Sequence, residues 1–176
     1  MLTTAGLVFA ADLATKYLAV EYLTDRGPVA VLPGLLQLRL LRNPGAAFGL
    51  GVNMTAVFTV VAVVVVAVIL RMAGRLRSLP WALALGGLLG GALGNLLDRL
   101  FRQPGFGRGH VVDFLELPHW PVFNIADSAI VVGGCLMVWL SFRGVAPDGS
   151  RLDQPAQADP DPALTSDADS ADGAQR

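Results

Sequence analysis

Charged residues are scarce in this chain. Only 15% of its 176 residues are Asp, Glu, Lys or Arg, whereas 53% are hydrophobic. In a typical soluble domain about a quarter of the residues are charged. The composition therefore excludes an ordinary soluble domain and predicts an integral membrane protein, for which no nucleic-acid partner is expected.

Nucleophiles and metal ligands are few as well. The single cysteine, Cys135, lies in an apolar run, so it can form no intramolecular disulfide and its thiolate is disfavoured. Neither histidine, His110 or His119, lies beside an obvious serine or cysteine nucleophile. The HExxH motif and the usual Cys/His zinc spacings are also absent. Carboxylates remain as candidates for chemistry.

Four apolar runs are long enough to cross a bilayer as helices. We therefore predict an all-α membrane protein, a four-helix transmembrane bundle in a domain formed by residues 1–143. The spans are expected at residues 2–23, 52–70, 80–97 and 122–142. The first run has no basic residue before it and contains Asp12 and Lys16, so we expect it to remain as a helix and not to be a cleaved signal peptide.

The last part of the sequence, residues 144–176, has a different composition. It is rich in Pro, Ala, Ser and Asp, and it carries seven acidic and two basic residues. Such a segment has little apolar surface to bury, so we predict a disordered acidic tail.

Arginines in the short second connection suggest an orientation. Arg71, Arg75 and Arg77 are clustered there, and the positive-inside rule expects such a loop in the cytoplasm. With four spans, both termini are then cytoplasmic, and residues 24–51 and 101–121 face outward.

The first outward segment contains a pattern typical of a β-strand. Leu36, Leu38 and Leu40 alternate with polar residues, which predicts a small extracytoplasmic β element with one apolar face. The stretch "NPGAAFG" at residues 43–49 follows and predicts a turn.

The glycines of the third run predict close packing between helices. The third run holds small residues at spacings of four, which lets helix backbones approach closely: Gly86, Gly87, Gly90, Gly91 and Gly94.

Asp12 and Lys16 are also four residues apart, so they share a helix face and can form an ion pair or face the bundle together. Asn95 shares a face with Asp98 and Arg99 at the end of the third run.

Three acids are expected at one membrane face: Asp98, Asp113 and Asp127. Two carboxyl groups held together in a low-dielectric site share one proton, which provides an acid and a base for peptide hydrolysis. Spacing alone leaves the identity of the pair open. Asp98 is the weakest candidate, because it adjoins Arg99 and lies within plausible reach of Lys16.

Three other functions fit parts of this pattern. A metal site can be built from His110, Asp113, His119 and Asp127, of which the first two are three residues apart. A small transporter can use Asp12, Lys16 and Asp127 as an ion relay, although most polar residues gather at one face. A membrane scaffold without enzymatic activity leaves the asparagines unexplained.

Five motifs, in order along residues 12–130, resemble those of the lipoprotein signal peptidases, the type II signal peptidases of bacteria. They are "DLATK", "NPGAAFG", "GGALGNLLDR", "VVDF" and "FNIADSAI". The resemblance implies an aspartyl endopeptidase of the bacterial cytoplasmic membrane, with its active site at the extracytoplasmic face. It implies cleavage of prolipoproteins before a diacylglyceryl-modified cysteine.

The resemblance also implies a role for each polar residue. The catalytic acids correspond to Asp113 and Asp127. The substrate-binding positions correspond to Asn43, Asn95, Arg99 and Asn124, and the supporting polar positions to Asp12, Lys16 and Asp98.

Further expectations come from the same resemblance. No metal or cofactor is needed, the partners are lipid-modified prolipoproteins and membrane lipids, and we expect a monomer that globomycin inhibits. The segment between Asp113 and Asp127 is shorter than in familiar members, so we expect its contribution to specificity to differ.

Overall fold

Four long helices form the body of the protein in a computed structural model that describes residues 1–45 and 55–151. Their positions agree with the four predicted runs: the first has the predicted bounds, the second lies three residues later, the third ends four residues later and the fourth begins three residues later. The helices are α1 (Leu2–Leu23), α2 (Thr55–Ala73), α3 (Leu79–Phe101) and α4 (Ile125–Phe142).

Three of these helices, among the described residues, are long and apolar enough to cross a membrane: α2, α3 and α4. The first helix, α1, has 22 residues but is not among the three. It contains Asp12 and Lys16, whose side chains are almost completely buried in the bundle. Two of the three charged residues that lower its hydropathy therefore point inward, while Glu21 is exposed.

The centre of the bundle is α3, which packs against the other three helices. Its glycines divide between two neighbours, as close packing requires. A Cβ atom at Gly90 would lie 2.6 Å from the carbonyl oxygen of Ala5 in α1, and one at Gly91 would overlap the carbonyl of Ala126 in α4. The predicted close approach of helix backbones is therefore confirmed, with one glycine row facing each neighbour.

A three-stranded antiparallel sheet lies at one end of the bundle. Its strands, in spatial order, are β1 (Val29–Leu32), β2 (Leu36–Asn43) and β3 (Val111–Glu116). The predicted strand is β2, and its Leu38 and Leu40 pack against a cluster formed by Ala19, Leu23 and Phe114. The alternating leucines therefore fix the sheet to the end of α1.

The third strand, which the sequence did not predict, comes from the connection between α3 and α4. Its register pairs Leu41 with Asp113 and Asn43 with Val111. Phe123 then folds back on it, because its backbone N–H donates to Leu115 O (2.9 Å) and its carbonyl accepts from Leu115 N (2.8 Å). Residues 115–123 thus form a closed loop in the connection between α3 and α4.

The opposite end of the bundle is closed by residues 145–151. The carbonyl of Pro147 accepts hydrogen bonds from the backbone N–H groups of Arg77 and Ser78, and the indole N–H of Trp81 donates to the carbonyl of Val145 (2.8 Å). The connection between α2 and α3 is therefore held by the chain that follows α4. The remaining predicted tail, residues 152–176, and most of the predicted turn at residues 43–49 lie outside the described residues.

Neighbouring glycines in α4 provide a test of the helix packing. In Gly133→Ala the new Cβ would lie 2.8 Å from the carbonyl oxygen of Ala84, whereas in Gly134→Ala it would meet open space. We expect Gly133→Ala to destabilise the protein by about 1–3 kcal/mol through overpacking. Gly134→Ala should be neutral or stabilising by up to about 1 kcal/mol. Thermal unfolding in detergent micelles measures both, and equal midpoints for the two variants would contradict the packing described here.

Candidate active site

A cavity of about 340 Å³ lies where β2, β3, α3 and α4 meet. Two acids, two asparagines and an arginine face it together with an apolar wall. The polar lining consists of Asn43, Asn95, Arg99, Asp113 and Asp127, and the apolar wall includes Val111, Trp120, Pro121, Val122, Phe123, Ile130 and Val131. Asp113 and Asp127, from two different elements, therefore share one cavity.

Asp113 lies in the middle of β3 and is only 1% exposed. Its Oδ1 accepts a hydrogen bond from Asn124 Nδ2 (2.6 Å) and its Oδ2 accepts one from Asn43 Nδ2 (2.9 Å). Burial, and secondly the nearby charge of Asp127, raises the pKa of Asp113 to about 7. This carboxyl group is therefore able to hold a proton near neutral pH.

Asp127 lies in the first turn of α4, where it forms a capping box with Asn124. The Asn124 side chain accepts from Asp127 N (2.9 Å), and Asp127 Oδ2 accepts from Asn124 N (3.2 Å). Its other oxygen, Oδ1, accepts from Asn95 Nδ2 (2.8 Å). The polar residues at the start of this apolar run thus have two functions: they cap the helix and they hold a carboxylate at the cavity.

Asn124 connects the two carboxylates. Its side chain contacts Asp113 through Nδ2 and the backbone of Asp127 through Oδ1, and it is completely buried. It does not line the cavity. Its contacts fix the position of one acid relative to the other.

Asp98, the third candidate acid, is held in ion pairs. It contacts Lys16 Nζ (2.9 Å) and Arg102, and it accepts a hydrogen bond from Val112 N (3.2 Å). The predicted reach of Lys16 is confirmed, but the arginine that pairs with Asp98 is Arg102 and not the adjacent Arg99. Asp98 is buried outside the cavity lining, where it fixes α3 to β3.

The predicted pairing of Asp12 with Lys16 is also confirmed, at 2.7 Å. Asp12 Oδ1 accepts a hydrogen bond from Ala126 N (2.9 Å), which is one of the otherwise unpaired amides at the start of α4. Gly94 leaves the space for this carboxylate, since a Cβ atom there would overlap it. Asp12 therefore links α1 to the helix that carries Asp127.

Arg99 lines the cavity beside the end of β2. Its Nη2 donates to the carbonyl of Gly45 (3.0 Å), and its Cζ lies 5.8 Å from the centre of the Phe58 ring. Its Nε and Nη1 are buried and have no hydrogen-bond partner among the described residues. A guanidinium group thus lies in the cavity lining together with the two acids.

The structure also assigns a role to two residues that the sequence analysis missed. Thr55 and Thr59 lie in the otherwise apolar α2 and donate to the carbonyls of Pro44 and of Gly107, the latter at 2.8 Å. These contacts hold two loops at the rim of the site. The signal was present in the sequence as two polar residues spaced by four in an apolar span.

The metal-site alternative required His110, Asp113, His119 and Asp127 to converge. Within residues 1–45 and 55–151, no three His, Cys, Asp or Glu side chains are grouped so that they could hold a metal ion. Neither histidine lines the cavity. The geometry of the described residues therefore does not support that alternative.

Two proteins with similar sequences carry the name lipoprotein signal peptidase. The chain is 52% identical over 147 residues to a lipoprotein signal peptidase of Rhodococcus jostii, a match that covers 84% of this chain and 74% of the relative. It is 53% identical over 150 residues to the lipoprotein signal peptidase of Streptomyces griseus, covering 85% and 76%.

Solved structures give a consistent comparison. A bacterial membrane enzyme superimposes with a TM-score of 0.71 at 27% identity, covering 82% of this chain and 88% of that chain. A second bacterial membrane enzyme structure gives a TM-score of 0.69, also at 27% identity, covering 80% and 91%.

The family model of signal peptidase (SPase) II matches residues 4–143. Because the helices are apolar and the relatives are bacterial, the chain is a bacterial membrane protein, and it belongs to the signal peptidase II family.

Proposed function

We propose that the protein is an aspartic endopeptidase that removes the signal peptide from diacylglyceryl-modified prolipoproteins, cutting before the lipidated cysteine. The relatives named lipoprotein signal peptidase support the substrate class. The observation that carries the catalytic type is the pair Asp113 and Asp127, which share one cavity and are joined through Asn124.

The chemistry follows from the two carboxyl groups. Because they lie close together in a buried site, they hold one proton between them at neutral pH. The ionised carboxylate takes a proton from a water molecule, which attacks the scissile carbonyl carbon. The protonated carboxyl group donates a hydrogen bond to the carbonyl oxygen as negative charge develops there. The carboxyl group that took the proton from water then donates it to the amine nitrogen as the C–N bond breaks, and the other carboxyl group takes up the proton of the new hydroxyl group.

The substrate backbone is bound by Asn43, Asn95 and Arg99, which line the cavity. Two guanidinium nitrogens of Arg99, Nε and Nη1, have no hydrogen-bond partner among the described residues and are suited to donate to peptide carbonyls. Asn124 has a supporting role in this proposal, because it is completely buried and, unlike Asn43 and Asn95, does not line the cavity. Asp12, Lys16 and Asp98 support the site through their ion pairs.

The apolar wall of the cavity suits a substrate that is anchored in lipid. Trp120 and Val131 are exposed by 60% and 61%, so the wall continues onto the outer surface of the protein. A lipidated cysteine can therefore remain in the outer leaflet while the peptide enters the cavity. Lateral entry from the membrane fits a substrate that is confined to the bilayer.

We further propose that all four helices span the membrane, with both termini in the cytoplasm and the acids at the outer face. Support comes from the length of α3, whose 23 residues extend about 35 Å and separate Asn95 and Arg99 from the α2–α3 connection. That connection carries Arg75 and Arg77, as a cytoplasmic loop would. The enzyme acts as a monomer without a metal or cofactor in this proposal.

Replacing either acid by its amide tests the catalytic pair. We expect Asp113→Asn and Asp127→Asn each to lower kcat by roughly 10²–10⁴-fold, because the proton transfers then fail. Cleavage of a diacylglyceryl prolipoprotein by the purified protein, followed as a gel shift, measures the loss.

Glu116→Gln is a matched control, because it makes the same chemical change on the same strand outside the cavity. This variant should cleave at the wild-type rate, and a chelator should leave the wild-type enzyme active. Full cleavage by Asp113→Asn would disprove the proposed pair, and chelator-sensitive cleavage would restore the metal-site alternative.

The raised pKa of Asp113 predicts how activity depends on pH. The carboxyl pair must hold one proton, and Asp113 loses its proton as the pH rises through about 7. We therefore expect kcat/KM to fall above this pH and to approach a decrease of about tenfold per pH unit. Glu116→Gln should show the same profile. A rate that stays constant between about pH 6 and pH 9 would show that the protonated acid is not required.

A further inference from the structure

The four carboxylate oxygens of Asp113 and Asp127 each accept a hydrogen bond from an asparagine. Three of the donors are the side-chain amides of Asn43, Asn95 and Asn124, and the fourth is the backbone N–H of Asn124. An amide side chain can serve as a donor only if its NH₂ end, and not its oxygen, faces the carboxylate. The orientation of each asparagine is therefore a requirement of the site.

A donor directed at the oxygen of the amide fixes that orientation. For Asn43 it is the backbone N–H of Gly45 (3.0 Å), and for Asn124 it is the backbone N–H of Asp127 (2.9 Å). Both asparagines lie at the end of an element, where backbone N–H groups are free of helix or sheet hydrogen bonds.

Asn95 lacks this option, because it lies inside α3, where backbone N–H groups bond to carbonyls one turn earlier. Its Oδ1 accepts instead from Lys16 Nζ at 2.9 Å, and more weakly from Asn124 Nδ2 at 3.2 Å. An ammonium group only donates, so it cannot face the NH₂ end of the amide. The contact with Lys16 therefore turns Asn95 Nδ2 toward Asp127.

We infer that Lys16 is a positioning residue for the peptidase reaction, which acts through Asn95 to keep a hydrogen-bond donor on Asp127 Oδ1. The inference rests on the proposed function, because it assigns Lys16 to the support of one catalytic acid. It goes further in giving the buried ammonium a role in kcat and not only in stability.

The purely structural alternative is that Lys16 only neutralises its acidic neighbours. It contacts Asp12 at 2.7 Å and Asp98 at 2.9 Å, and it is 1% exposed. Removing the ammonium alone would leave buried carboxylates without their partner, and such a variant can fail to fold. A useful test must therefore remove one positive and one negative charge together. The variants that are compared must then differ only in the hydrogen-bond donor at position 16.

Two double variants meet this condition. Asp12→Asn with Lys16→Gln removes one positive and one negative charge but keeps an N–H donor, one bond nearer the backbone, on the side of Asn95. Asp12→Asn with Lys16→Met removes the same charges with a side chain of similar length and no donor. We expect the Gln pair to have a kcat about tenfold or more above that of the Met pair, with a similar KM, because a displaced carboxylate slows the chemistry.

The same two pairs are then compared with Asn95→Leu added. If Lys16 acts through Asn95, the Gln and Met versions should now have equal kcat values. Thermal unfolding in the same detergent checks that all variants compared are folded. Equal kcat values for the Gln and Met pairs when Asn95 is present would overturn the inference, as would an unchanged tenfold difference when Asn95 is absent.

Asn95→Leu alone gives a second test, because it leaves Lys16 paired with both of its acids. It should lower kcat by about tenfold or more, and a wild-type kcat would overturn the inference, since Lys16 would have nothing to act through. Either negative result leaves the dependence on Asp113 and Asp127 in place. Failure of this inference is therefore distinguishable from failure of the proposed function.

Discussion

A buried ammonium group holds the helices of this protein together around its polar end. Lys16 lies between Asp12 and Asp98, and these two carboxylates in turn bind the start of α4 and the middle of β3 through backbone N–H groups. Charges inside an apolar bundle are tolerated only when they are paired and hydrogen-bonded. The pairing here requires α1, α3, α4 and β3 to meet in one arrangement. The positions of the five polar cavity residues follow from it, because each lies on one of these elements or on β2, which pairs with β3.

The four helices could be predicted because a long apolar run leaves few alternatives in a membrane protein. The leucines of β2 were equally informative, since their alternation reports a strand with one buried face, and Leu38 and Leu40 do pack against the end of α1. Strand β3 gave no such signal. Its first four residues, from Val111, are buried on both faces, so the sequence shows a short apolar run interrupted by one acid.

The choice between the acids shows what spacing cannot determine. Asp98, Asp113 and Asp127 were equally placed by topology, and only the proximity of cations made Asp98 less favoured. The distinction arises from contacts distant in sequence: Asp98 meets Lys16 across 82 positions of sequence, whereas Asp113 meets asparagines and the charge of Asp127. The burial of Asn124 was hidden for the same reason. Its position before a helix explains the cap, but the contact with Asp113 depends on how β3 folds back.

The closed loop from β3 to Phe123 determines which parts of the enzyme can move independently of the acids. Asp113 and Asp127 lie on a single short segment that is tied across its neck by the backbone hydrogen bonds of Phe123 and internally by Asn124. The spacing of the acids is therefore a local property of that segment and does not depend on the separation of distant helices. The hydroxyl groups of α2 donate to the carbonyls of Pro44 and Gly107, which lie outside this segment. A substitution in α2 should therefore change the distance between the two acids less than a substitution that breaks the hydrogen bonds of Phe123 or Asn124.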